Sequence, residues 1–175
     1  SEMNSYPPIV FEHLETLTDS TGVIQHAIFS IPNRRTGYTT DDNCRALIAA
    51  IMEFERTGSR QVLQLVSTYL SFLHYAQTPA GRFHNFMSYD QVWLDDQSSD
   101  DCFGRVMWAC GHALSADLHP NIKKVAKQLF HGGLRWMPVT QSLRARAYMI
   151  MGSFYYLRHE PDSEQMKSTL KSLAD

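Results

Sequence analysis

Apolar residues recur at three- and four-residue steps along most of this chain. Over residues 61–76, Val62, Leu65, Val66, Tyr69, Leu70, Leu73 and Ala76 fall on one stripe of a helix. Residues 43–54 repeat the pattern through Leu47, Ile48, Ile51 and Phe54. Residues 103–114 are apolar on nearly every side, which predicts a helix buried over most of its surface. The same periodicity predicts helices over 10–17, 122–130, 143–157 and 163–173. Thr57-Gly58-Ser59, Thr78-Pro79-Ala80-Gly81 and Met137-Pro138 punctuate them. Only residues 82–89 alternate as a strand does, and they read as a short hairpin arm inside a loop. The fold class predicted is all-α, with about seven helices in antiparallel hairpins.

The links are of two kinds. Those near 57–60, 117–121 and 158–162 are short, as between antiparallel neighbours. Two others, 18–40 and 77–99, are long, and long loops carry function more often than short ones. Each long loop runs into an acidic helix start. Thr39-Thr40-Asp41-Asp42-Asn43-Cys44-Arg45 and Ser98-Ser99-Asp100-Asp101-Cys102-Phe103-Gly104-Arg105 both give two hydroxyls, two carboxylates and an arginine. Asp41 and Asp100 stand 59 residues apart, and a fainter third copy starts near Thr140, with Arg146-Ala147-Tyr148 echoing Arg45-Ala46-Leu47. A repeat of two helices per unit means stacked or circularly arranged hairpins. Helices one unit apart then start at the same rim, so all four aspartates are expected on one face. Capping explains part of the pattern: Thr39-x-x-Asp42 and Ser98-x-x-Asp101 fit an N-cap with an acid in the first turn. That reading leaves Asp41 and Asp100 to face outward.

Composition narrows the chemistry. The 175 residues carry 16 Lys+Arg against 18 Asp+Glu, a net charge of -2. No basic footprint for nucleic acid or an anionic membrane surface is present. No run of residues is apolar enough for a membrane span. Cys44, Cys102 and Cys110 are odd in number and lack a CxxC pair, which points to a reducing, cytoplasmic setting and gives no metal or disulfide framework. Asp90, Asp95 and Asp96 lack calcium-loop spacing, so no metal and no cofactor is expected. Tyr38, Phe83, Phe86, Tyr89 and Trp93 in the long loops offer aromatic faces for a pyranose, with carboxylates and amides for its hydroxyls.

The same stretches resemble a known group. Asp19-Ser20-Thr21-Gly22 to His26, Ile31-Pro32-Asn33, Tyr38 to Asn43, Arg82 to Asp90 with Trp93-Leu94, and Ser99-Asp100-Asp101 through Gly104-Arg105, Trp108-Ala109 and Gly111 carry the resemblance. They are similar to the six-hairpin glycosidase-like (α/α) toroid superfamily, and in particular to bacterial domains found alone or fused behind retaining glycosyltransferases of polysaccharide assembly. The pattern there reads Glu-Asp-Ser-His-Gly-Arg where this chain has Asp100-Asp101-Cys102-Phe103-Gly104-Arg105, so a polar group beside the expected site is lost.

The resemblance implies an oligosaccharide or polysaccharide as partner. It makes Asp41, Asp42, Asp100 and Asp101 the candidate catalytic carboxylates, one from each start. An inverting glycosidase holds such a pair roughly 6.5–9.5 Å apart. Tyr38, Asn43, Arg45, Asn85, Tyr89, Asp90, Arg105 and His26 become candidate substrate-binding residues. Two readings follow: a carbohydrate-active, glycoside-hydrolase-like domain, or a non-catalytic accessory domain of a polysaccharide glycosyltransferase. Seven helices supply three or four hairpins of six, so the chain matches an N-terminal half. A homodimer, or a missing C-terminal half, is expected to cover the exposed edge.

Overall fold

A computed structural model describes residues 8–25, 27–28, 31–32 and 35–175. Helix α1 spans Pro8–Leu17, α2 Thr40–Thr57, α3 Arg60–Ala76, α4 Asp100–Ser115, α5 Pro120–Gly133, α6 Leu143–His159 and α7 Glu164–Ala174, with a 3-10 turn at Leu134–Trp136. The all-α expectation holds. The helices α2 to α7 form three antiparallel hairpins in two layers. Helices α2, α4 and α6 lie side by side, α2 against α4 and α4 against α6. Helix α3 packs on α2 and α5, α5 on α4, and α7 on α6. The inner helices therefore start at one rim, and the outer helices return the chain to it.

Local signals set these boundaries. Thr39 caps α2 by accepting from the Asp42 amide, and Gly58, at φ 66°, closes it in the left-handed conformation glycine favours. Ser99, Ser142 and Ser163 accept at the starts of α4, α6 and α7 in the same way. Gly104, Gly111 and Gly152 set the closeness of α4 and α6. A Cβ on Gly111 would lie 2.3 Å from the Gly152 carbonyl oxygen, and one on Gly104 2.7 Å from that of Ala145. These helices touch backbone to backbone.

The long loops are more structured than their pattern suggests. Strand β1 (Ala27–Ile28) pairs antiparallel with β2 (Ile31–Pro32). Strand β3 (Tyr38–Thr39) pairs antiparallel with β4 (Phe86–Met87), in the register Tyr38↔Met87 and Thr39↔Phe86. The expected hairpin arm over 82–89 is present, with Met87 bridged antiparallel to Trp93 and Leu94 N–H donating to Phe86 O at 2.8 Å. The same arm also pairs with the end of the other long loop, which stitches the starts of α2 and α4 together. Asp95 holds the neck of the second loop, its carboxylate accepting from the Asn85 and Phe86 amides at 2.8 Å each. The tip closes on itself, with Gln91 N–H to Ser88 O and Ser88 N–H to Val92 O, both 2.9 Å.

Candidate functional site

The inner helices have one covered side and one free side. Counting from the first helical residue, the second, sixth, ninth, thirteenth and sixteenth positions fall on the free side of each. They are Asp41, Arg45, Ile48, Met52 and Glu55 on α2; Asp101, Arg105, Trp108, His112 and Ser115 on α4; Arg144, Tyr148, Met151, Tyr155 and Arg158 on α6. Steps of four and three keep a stripe on one helix face. The three stripes make a grid, charged at the rim, apolar and aromatic in the middle and mixed at the far end.

Contacts knit the grid together. Arg105 Nε lies 2.7 Å from Asp41 Oδ1, and Arg45 Nε lies 3.2 Å from Asp41 Oδ2. Arg105 also donates to the Tyr148 hydroxyl at 3.1 Å, with its guanidinium 4.6 Å from that ring's centroid. Trp108 stacks on Tyr148, ring centroids 5.6 Å apart at 22°. Asp101 accepts from Ser142 Oγ at 2.6 Å and lies 3.9 Å from Arg144. At the far end His112 stacks on Tyr155 at 4.4 Å, and its Nε2 is 3.4 Å from Glu55. Burial lowers the His112 pKa, with Glu55 opposing the shift, so the ring is held neutral over more of the acid range than a free imidazole. The Trp108 indole N–H and His112 Nδ1 are buried without a hydrogen-bond partner in the chain.

The four aspartates separate into two pairs, and not as the capping pattern predicts. Asp42 holds the cap in place: Thr39 is the capping residue, and its Oγ1 donates to the Asp42 carboxylate at 2.8 Å. In α4 the cap is Ser99 rather than Ser98, one residue later, because Ser99 Oγ accepts from the Cys102 amide. That shift turns Asp100 toward Arg82, at 3.1 Å, and leaves Asp101 on the free side. Asp41 and Asp101 are therefore the equivalent pair, each four residues before an arginine. The third copy is corrected likewise: Arg144 and Tyr148 stand at the rim positions. Arg146 instead donates to the Ser172 and Leu173 carbonyls at the end of α7.

Several expected binding residues are engaged within the fold. Tyr38 is 2% exposed and donates to Asp19 Oδ2 at 2.5 Å, with burial raising its pKa, so it anchors the first loop rather than facing a ligand. Tyr89 stacks on it, centroids 6.1 Å apart. Asn43 is fully buried, accepting from Val23 N–H and donating to Thr39 O. Asn85 Oδ1 takes the Asp41 amide at 3.2 Å and the Cys102 thiol at 3.6 Å, joining the two helix starts. Asp90 binds Ser88 Oγ in the loop tip. His26 lies outside the described residues. Arg45 and Arg105 lie on the free side, at the sixth position of α2 and of α4.

Trp108, Tyr148, Arg144 and His112 lie outside the residues that the repeat marks as a candidate site. Their signal was the same four-three spacing continued from Asp101-x-x-x-Arg105. Burial raises the thiol pKa values of Cys102 and Cys110 to about 12, and Cys44 rises too, which makes poor nucleophiles of all three. Among the described residues, no cluster of three or more His, Cys, Asp or Glu could hold a metal ion, and no helix is long and apolar enough to cross a membrane.

Two layers of α-hairpins with parallel inner helices starting at a common rim define part of a helical toroid. The solved structure of D-mannose isomerase, from the six-hairpin toroid superfamily, has this fold: the likeness has a TM-score of 0.70 at 13% identity, over 97% of this chain and 52% of that one. The chain thus spans about half the length of that neighbour. No family model matches the sequence, and no curated protein does.

Proposed function

We propose that the free side of α2, α4 and α6 binds a carbohydrate, with Trp108 and Tyr148 under the sugar ring and Arg105, Asp101 and Arg144 at its hydroxyls. The observation that carries this is the stack of Trp108 on Tyr148 beside Arg105, at the level where the charged rim meets the aromatic middle. Aromatic faces cover the C–H surface of a pyranose while charged groups fix its oxygens. A buried indole N–H without an acceptor in the chain supplies one further donor. The fold of a neighbour whose printed name is that of a sugar isomerase supports the same reading.

Binding is favoured over hydrolysis at Asp41. Each of its oxygens lies within ion-pair distance of a guanidinium, which favours a carboxylate that orients Arg105 over one that delivers a proton to a departing glycosidic oxygen. This favours the accessory reading, in which the domain docks an acceptor glycan for a polysaccharide glycosyltransferase. The deciding experiment is titration calorimetry against a panel of monosaccharides and oligosaccharides, with product analysis of the same mixtures. Saturable binding that Trp108→Ala weakens at least about tenfold is expected, a loss of about 1.4 kcal/mol or more. Binding without product assigns the accessory role, and turnover assigns an enzyme. A panel with no binding, or binding indifferent to Trp108→Ala and Arg105→Ala, removes the sugar site from this face.

A further inference from the structure

The three inner helices have matching edges, and their register shows which edges are unfilled. On α4 the fifth and twelfth residues, Gly104 and Gly111, meet the third and tenth of α6, Ala145 and Gly152. Met107, the eighth, is fully buried between them. On α2 the same positions are Cys44, Leu47 and Ile51, all fully buried. On α6 they are Ala147, Ile150 and Phe154. Here Ala147 is exposed, Ile150 half-buried and Phe154 53% exposed, with Leu143 at the helix start 84% exposed. At the opposite edge of the array, the third and tenth positions of α2 are Asp42 and Ala49, both half-exposed, whereas Cys102 and Ala109 in α4 are buried. The array ends on one side in apolar projections and on the other in the short side chains that elsewhere receive them.

We propose that a second copy of this chain closes the array, with α6 of each copy seated on α2 of the other. The edge of α6 is the next place in a packing already made twice, and α2 holds the complementary edge. A two-fold axis along the inner helices forms both contacts at once and leaves neither edge open. The six hairpins so assembled match the length of the structural neighbour, of which one chain covers 52%. Neither edge includes Trp108 or Tyr148, and Arg144 is the one residue common to this contact and the sugar reading, so Phe154→Asp and Ala147→Arg test the contact alone. One detail resists closure. The diagonal that sets Asp41 beside Arg105 sets Arg144 beside Arg45 of the second copy, where like charges oppose the contact.

Sedimentation of the 175-residue chain across a micromolar concentration series tests it. The 20.0 kDa chain is expected as a dimer of about 40 kDa. Phe154→Asp and Ala147→Arg, both at exposed positions, are each expected to weaken it at least about tenfold with unchanged circular dichroism, while Arg144→Glu tightens it. A mixture of Ala49→Cys chains with Phe154→Cys chains is expected to form a mixed disulfide under mild oxidation that neither variant forms alone. A monomer throughout the series overturns the proposal. So does a dimer indifferent to Phe154→Asp and Ala147→Arg, or one in which Phe154→Cys pairs only with itself.

Discussion

At the start of α2, Thr39 caps and Asp42 answers it, which leaves Asp41 between two arginines. At the start of α4, Ser99 caps, the residue answering Asp42 is Cys102, and the first acid is drawn off to a buried arginine. The two stretches share almost every residue type, yet the carboxylate facing outward is the first of its pair in one helix and the second in the other. The deciding variable is the capping residue, because it fixes the phase of everything behind it. Beyond the first turn the divergence continues. The fifth residue of α2 is Cys44, which holds α4 at side-chain distance, whereas the fifth of α4 is Gly104, which lets α6 come to backbone contact.

The largest test of this contrast lies in that spacing. Gly111→Val, forced against the Gly152 carbonyl, is expected to cost about 3 kcal/mol or more in urea denaturation or to prevent folding. Cys44→Ala, at the side-chain-packed interface, is expected to cost only about 1–2 kcal/mol. Equal effects would erase the distinction between the two interfaces. Next comes Arg82, buried between Asp100, the Ser98 carbonyl and the Phe103 ring. Arg82→Ala removes the partner that orients Asp100 and is expected to cost about 2–3 kcal/mol. No counterpart of that arginine serves Asp42, whose partner is a hydroxyl.

Smaller effects sharpen the capping claim. Thr39→Ala and Ser99→Ala are each expected to cost about 1 kcal/mol, while Ser98→Ala costs less than half of that. If Ser98 proved the costlier of the two serines, the phase assigned to Asp100 and Asp101 would be wrong. The smallest effect is that of pH on the far end of the face. Burial holds the His112 pKa below its value in the unfolded chain, so the unfolded state binds the proton first. The stability due to His112 is therefore complete above pH ~6.5 and is lost as pH falls through the lowered folded value. His112→Gln is expected to flatten the fall in urea midpoint between pH 7 and 5, and an unchanged slope would contradict it.

The helices were legible because the three-four rhythm survives wherever one face is buried, as in α3, whose stripe from Val62 to Ala76 is nearly all buried. The helix starts were legible only as composition. Ser98 and Ser99 are indistinguishable in sequence, and the geometry that selects Ser99 comes from Arg82 and the loop, not from α4 itself. Tyr38 reads as an aromatic wall because it stands in a long loop beside an acidic helix start, yet its hydroxyl donates to Asp19 and its ring is buried. The pairing of β3 with β4 was illegible, since two-residue strands show no alternation and their partners are far apart in sequence. Trp108 and His112 were hidden by an apolar helix in which every position resembled core. The repeat itself, with the helix starts on one rim, could be read from the chain.

The second loop has a consequence for engineering. Its neck is pinned by Asp95, while residues 88–92 make a turn whose backbone bonds stay within the turn and whose side chains reach outward from Gln91 to Thr21 and from Tyr89 to the Tyr38 ring. Added length at such a tip raises closure entropy only logarithmically. A peptide epitope or fluorescent reporter grafted between Tyr89 and Gln91 would therefore ride above the rim without moving the helices beneath it, offering a handle on this molecule that leaves its working surface untouched.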